Sequence, residues 1–286
     1  MKSKQLTVLA ASALFAISTF TTNAQQLKLP APSPLQTLDQ SFALSNIKIE
    51  YSRPSAKGRV IFGDLVPFGK TWRSGANTAT KITFGEDVKI EGSPLVAGTY
   101  ALYTIPNKDS WEIMFYNDLK LGGNVADYKA ENEVLRVKVK PSAYANKVET
   151  LTINVTDMTS NSGNIELLWE NTRVAFSVVS DIDSKVMKNI ETSLATDARP
   201  YFQAAGYYYD NNKDLTIALG WINKAIEQNP KAFYMVHLKA KIQLKLKDYK
   251  GAVATAEQSI VLAKEAKNDD YVAMNQKLIA EAQKAK

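Results

Sequence analysis

At 286 residues, with 45% hydrophobic and 22% charged content, the chain is long enough for two domains and is composed like a folded protein. Its formal charge of +6 is a mild basic bias, well short of the cationic stripe that nucleic-acid binding needs. It has no cysteine and one histidine, His237, which excludes disulfides, thiolate metal sites, cysteine nucleophiles and any chemistry that needs two imidazoles.

Met1 to Ala24 reads as a secretory signal: Lys2 and Lys4 at the start, an apolar run from Leu6 to Phe20, and small residues at Thr22-Asn23-Ala24. The run is shorter than the roughly 20 apolar residues of a membrane anchor. The mature chain is expected to begin near Gln25, without a transmembrane segment, in the periplasm or secreted beyond it. Loss of Lys2 and Lys4 leaves a charge of +4.

A proline-rich leader, Leu29 to Pro34, completes a linker over residues 25–34. Strand patterns follow. Ile47, Ile49 and Tyr51 alternate with polar residues, as do Ile82 and Phe84, then Val88 and Ile90, before a turn over Glu91-Gly92-Ser93-Pro94. Tyr100 to Ile105 is apolar on both faces and is expected to be a central strand. Pro106 to Ser110 forms a hairpin connection into Trp111, Ile113 and Phe115, and Asn117 to Glu131 reads as a long loop. Further inward sets are Leu135, Val137 and Val139; Leu151, Ile153 and Val155; Ile165, Leu167 and Trp169 after a turn at Ser160 to Gly163; and Val174, Phe176 and Val178. Roughly nine short strands without helical interruption predict an antiparallel β-sandwich or jelly roll over residues 35–180, with a closed barrel still open.

Past Ser180 the period changes. Ile182, Val186, Ile190 and Leu194 recur every four residues, one face of a helix. Gly206 and Ala240 are 34 residues apart, as are Ala218 and Ala252, which is the tetratricopeptide period. With Arg199 as the first position, Gly206, Tyr209, Ala218, Ala225 and Pro230 fall where that repeat places small, aromatic and proline residues. The second copy is weaker, with Gln243 at the aromatic position, and a helix over about Asp270 to Ala285 caps the stack. Two repeats fall short of the three usually needed for a continuous core, so the tail is expected to lean on the helix at Ile182–Leu194 or on the β-domain. The fold class is thus α+β in two domains, an all-β sandwich and an all-α, tetratricopeptide-like repeat over residues 181–286.

The stretch from Tyr51 to Thr80 concentrates charge, with Arg53, Lys57, Arg59, Lys70 and Arg73 against the single acid Asp64 before Arg73. Two readings are open. The arginines grip an anion, with Tyr51 and Trp72 as stacking faces and Asn77 beside them. Alternatively Trp72 is core, the arginines satisfy backbone carbonyls, and Asn77 is a turn residue. Gly69-Lys70-Thr71 is no P-loop, because five residues, Pro67 among them, separate Gly63 from Gly69 where the motif needs four. No G-x-S-x-G occurs and the β-half has no histidine, so a serine triad is excluded. Acidic pairs are scattered, so neither a Ca²⁺ site nor a two-carboxylate glycosidase is picked out. No cofactor or metal is expected. Tyr207 and Tyr208 are candidates for lining a peptide groove, with packing as their other use, and His237 is expected on a repeat helix without a special role.

Four segments carry a resemblance: SPLQT (Ser33–Thr37), the run Ile49–Thr80, AGTYALYTIP (Ala97–Pro106) and LRVKVKP (Leu135–Pro141). They are similar to the secreted bacterial family called domain of unknown function 2911, over about Ser33 to Val179. The resemblance implies an exported β-domain, in the periplasm or beyond, and brings no activity, cofactor or catalytic residue with it. The functional expectation is an exported binding protein, with an anionic or carbohydrate ligand at the basic loop and a protein or peptide partner on the repeats. A carbohydrate-active hydrolase and a plain scaffold are the alternatives.

Overall fold

The computed structural model describes residues 29–196 and 200–285. The expected signal segment and Arg199 lie outside the described residues. Among the described residues ten strands, β1 (Leu35–Phe42), β2 (Ser45–Ser52), β3 (Ala76–Phe84), β4 (Val88–Ile90), β5 (Ser93–Leu95), β6 (Gly98–Ile105), β7 (Trp111–Tyr116), β8 (Glu133–Val139), β9 (Ser142–Thr156) and β10 (Ser162–Val179), precede six α-helices. All strand pairings are antiparallel. They build a six-stranded sheet in the order β1-β2-β3-β6-β7-β8 and a four-stranded sheet in the order β5-β4-β10-β9. Ile49, Ile82, Leu102 and Phe115 from the first sheet meet Ile153, Ile165, Leu167 and Phe176 from the second in one buried core. The architecture is a sandwich with two separate sheets.

The two-sided apolarity of β6 has a local cause. Tyr100 and Leu102 face the inter-sheet core, whereas Ala101 and Tyr103 join Ala79, Met114 and Tyr116 in a second cluster on the outer face. The 117–131 loop covers that cluster with Leu121, Val125 and Tyr128, the Tyr128 ring stacking on Tyr116 at 4.6 Å. β6 is a central strand, as its sequence predicts.

Where the strands differ from the sequence pattern, the reason lies in register. Ile165, Leu167 and Trp169 occupy odd positions and Val174, Phe176 and Val178 even ones, which reads as two strands. They belong to one 18-residue strand, β10, whose pairing with β9 shifts at Leu168–Glu170 and again at Glu170–Thr172. Glu170 breaks β10 locally with a φ of 49°, and the extra residues lie on β9, where the step from Leu168 to Glu170 faces Thr152 to Val148 and the step from Glu170 to Thr172 faces Val148 to Ala143. β1 has no strong alternation because it is an edge strand, fully burying only Phe42. β5 occupies part of the expected 91–94 turn.

The helices are α1 (Asp183–Ala195), α2 (Tyr201–Asp210), α3 (Leu215–Gln228), α4 (Phe233–Lys245), α5 (Tyr249–Glu265) and α6 (Asp269–Lys284). Asp214, Asp248 and Asn268 cap α3, α5 and α6 by accepting from backbone N–H groups of the first turn. Ala218, Ala240 and Ala252 of the 34-residue spacing are fully buried, whereas Gly206 is half-buried. α1 fully buries none of its own residues; Met187 and Ile190 pack on the helical cluster, and Lys185 pairs with Glu86 of the β-domain at 3.1 Å. No helix among the described residues is long and apolar enough to cross a membrane.

His237 sits inside α4–α6 contacts. Its Nδ1 is 2.8 Å from Asn275 Oδ1, Asn275 Nδ2 donates to Ser259 Oγ and Tyr271 O, and Ser259 Oγ donates to Phe233 O. Burial lowers its pKa below the ordinary 6.5, and the Asn275 contact only partly offsets this. The unfolded chain therefore binds the proton more readily, so stability is full above about pH 6.5 and is lost as pH falls through the depressed native value. Urea unfolding followed across this range is expected to lose that slope in His237→Gln. Asn275→Ala, which strands a buried donor on the imidazole, is expected to cost about 1–3 kcal/mol at neutral pH.

Candidate functional site

One end of the sandwich is closed by the segment between β2 and β3, and its conformation follows from how it is tied down. Residues 53–57 run alongside β9: Leu151 N donates to Pro54 O at 2.9 Å and Ala56 N to Glu149 O at 2.7 Å. Residues 61–66 then close a tight turn, with Val66 N donating to Ile61 O at 2.8 Å. Trp72 pairs with Thr104 of β6 through two 2.8 Å backbone bonds, which delivers its indole to the core. There it stacks on Trp169 at 5.9 Å, and edge-on contacts extend the cluster to Phe62 and Trp111.

Immediately after Trp72 the main chain is stapled. Thr80 N donates to Arg73 O at 3.1 Å and Thr80 Oγ1 to Ser74 O at 2.7 Å, while Ser74, fully buried, holds a φ of 55°. A non-glycine residue in the left-handed region is costly and persists only where the surroundings over-determine it. The result is a fixed Arg73. From behind, the 117–131 loop presses on it: a Cβ at Gly123 would lie 2.6 Å from Asn77 O and 3.3 Å from Arg73 Cδ. Tyr103 OH pins that loop by donating to Gly122 O at 2.9 Å. Burial raises the Tyr103 pKa to about 12, with Tyr116 and Asp118 adding to it and the Arg73 charge opposing.

Arg73 and Arg59 both line a notch of about 250 Å³ together with Leu65, Val66, Trp72 and Trp169. No carboxylate lines it. Arg73 Nε is buried without a hydrogen-bond partner, but it packs against Gly123 of the 117–131 loop, which does not line the notch. Arg59 is held to its own loop, donating from Nε to Ala56 O at 2.9 Å and from Nη2 to Ser55 O at 2.7 Å.

The structure thus brings together three of the sequence candidates, Arg59, Trp72 and Arg73, and disperses the others. Tyr51 is core: its hydroxyl accepts from Ile153 N at 2.8 Å, and burial raises its pKa. Arg53 donates from Nε to Leu151 O at 2.9 Å and from Nη2 to Thr152 Oγ1 at 2.8 Å, joining the loop to β9. Lys57 takes a left-handed turn position whose N–H donates to Glu149 Oε1, and Lys70 is exposed away from the notch lining. Asn77 adopts φ 60° and donates to Ser52 Oγ at 3.1 Å, so it shapes the turn behind Arg73. In the helical half, Tyr207 OH donates to Asp183 Oδ1 at 2.8 Å, tying α2 to the start of α1, and Tyr208 is buried edge-on to Trp221 at 4.7 Å. Tyr208 also lines a concavity of about 720 Å³ with Met187, Ile190, Leu194 and Trp221, and Tyr207 lines another of about 410 Å³.

Sequence reasoning missed Trp169 and Gly123. Trp169 reads as one more inward strand residue, and nothing local in Gly122-Gly123 indicates that it backs an arginine 50 residues upstream.

Fold and notch together define a two-sheet antiparallel sandwich with a cationic, aromatic-floored recess at one end and a helical extension behind it. The chain matches the family described as protein of unknown function (DUF2911) over residues 33–178, and it belongs to that family. No curated protein and no solved structure matches it.

Two substitutions probe how this end of the sandwich is tied down. Arg53→Ala, which leaves Leu151 O without its donor, is expected to lower unfolding free energy by about 1–3 kcal/mol. Gly123→Ala forces Arg73 or the Asn77 turn to move and is expected to cost about 1–3 kcal/mol as well. Chemical denaturation of each variant against the parent checks both.

Proposed function

We propose that this protein is an exported binding protein whose β-sandwich captures a small organic anion in the recess under Arg73. Its helical tail, read as a two-repeat tetratricopeptide-like array, holds a protein or peptide partner. The observation that carries the ligand reading is a recess lined by two arginines, Arg59 and Arg73, and by no acid. Guanidinium groups pair with carboxylate and phosphate oxygens by charge-assisted hydrogen bonds. The recess is smaller than a drug-sized pocket, which fits one acidic group and the ring that bears it. Two-carboxylate hydrolysis has neither its acid nor its base in this recess. The leader pattern at Met1–Ala24 supports export, and the 34-residue spacing of buried alanines supports the repeat.

Calorimetric titration with glucuronate and with phosphate, on the parent, Arg73→Ala and Arg53→Ala, tests the ligand reading. Loss of charge-assisted hydrogen bonds worth about 1.5–3 kcal/mol weakens binding roughly ten- to hundredfold in Arg73→Ala. Arg53→Ala is expected to bind as the parent does. Equal affinity of the parent and Arg73→Ala for every anion overturns the assignment.

A further inference from the structure

Helices α2 and α4 lie side by side and in step. Phe202 of α2 meets Tyr234 of α4 edge-on at 5.3 Å. Seven residues further along each helix, Tyr209 meets Lys241, whose ammonium lies 4.5 Å from the ring centroid. The sequence offset is the same at both contacts, so the helices run parallel along one seam. Seven residues are close to two helical turns and eleven are close to three, which puts Tyr234, Lys241 and Lys245 in one stripe beside it.

The two ends of the seam differ in chemistry. At the upstream end Phe202, Tyr234 and Met235 help to line a concavity of about 410 Å³ with no charged side chain in its lining, and Tyr234 is 38% exposed. At the downstream end Lys245 brings a second ammonium to 4.6 Å from the same Tyr209 ring. It is anchored there, donating to Tyr209 O at 3.1 Å and to Asn212 Oδ1 at 2.6 Å. Among the described residues neither ammonium has a carboxylate within ion-pair distance. Asp210 and Glu281 are near enough to add to the burial that raises the Tyr209 pKa, yet they pair with neither lysine. From Lys231 to Lys250 the chain carries six lysines and one acid, Asp248, which is committed to Gln243 and the α5 cap. Attraction to the Tyr209 ring thus holds two like charges together and leaves that end receptive to a carboxylate.

An occupant of the seam has both ends to satisfy. A nucleic acid or an anionic bilayer answers the lysines alone, whereas a peptide with one apolar and one acidic side chain answers both. Seven residues of helix span about 10 Å, the length of about three residues of extended chain. We propose that the α2–α4 seam docks an extended acidic peptide, with an apolar side chain in the concavity beside Tyr234 and, three residues away, a carboxylate on Lys241 and Lys245. This rests on the reading of the helical half as a partner-binding array and names the chemistry of the partner.

Fluorescence anisotropy on the full chain tests it, with a labelled, end-capped peptide of core Phe-Gly-Gly-Asp-Asp and its counterpart with both aspartates replaced by asparagine. The parent is expected to bind the acidic peptide roughly tenfold more tightly than the asparagine one. Lys241→Gln/Lys245→Gln is expected to lose that difference, and Tyr234→Ala to weaken both peptides, with circular dichroism confirming that each variant is folded. Equal affinity for the two peptides, or a preference that survives the lysine double variant, overturns the acidic assignment. Where Tyr234→Ala still weakens both, the partner reading of the helical half stands. Absence of binding to either peptide, with vesicles of phosphatidylglycerol captured through the two lysines, overturns the peptide and the partner reading together.

Discussion

The contact on which the rest of this molecule depends is the packing of Phe62, Trp72, Trp111 and Trp169 at one end of the sandwich. Trp111 comes from the six-stranded sheet and Trp169 from the four-stranded sheet, while Phe62 and Trp72 belong to the segment that crosses between β2 and β3. Edge-to-face and stacked rings are directional as well as apolar, so the cluster fixes orientation in addition to joining the sheets. Trp169 Nε1 finds Glu149 O at 3.2 Å, which satisfies the indole donor inside the core. With the rings fixed, a long crossing segment with little regular structure is held as firmly as a strand, and Arg73, the residue after Trp72, inherits that position.

The basic segment looks uniform as a string of residues and is divided in space. Arg53 and Arg59 use their guanidinium groups on carbonyls because the chain runs beside β9 and through a turn whose backbone acceptors need donors. Arg73 alone has a buried nitrogen left over. Residue type announced a special segment, and the alternation of apolar residues announced the sandwich and its central strand. Which arginine remained unspent depended on Gly123 and on a strained Ser74, neither of which has a periodic signature. The broken parity within β10 hid in the same way, since a bulge is visible only once its partner strand is known.

The helical half shows how a repeat tolerates a weak position. Gln243 stands where the 34-residue pattern has Tyr209, and it is buried, with Nε2 donating to Asp248 Oδ2 at 3.0 Å. Asp248 is also the cap of α5, accepting from Gly251 N at 2.9 Å. The amide therefore replaces ring packing with a hydrogen bond that braces the turn between α4 and α5. Tyr209 itself keeps its place under Lys241 and Lys245, whose ammonium groups lie 4.5 and 4.6 Å from its ring. The buried line from His237 through Asn275 to Ser259 then couples α4, α5 and α6, which gives the last helices a polar tie that alanine packing alone lacks.

The leader before β1 has a bearing on how neighbouring molecules meet. β1 is an outer strand of its sheet, and an outer strand offers unpaired peptide groups to any chain that can align with it. Pro30, Pro32 and Pro34 precede it, each without an N–H, and Pro34 O is already taken by Arg53 N at 2.9 Å. A foreign strand zipping along β1 toward its upstream end meets a stretch that cannot continue the ladder. Three missing N–H groups in five residues leave that stretch a poor template for ladder growth.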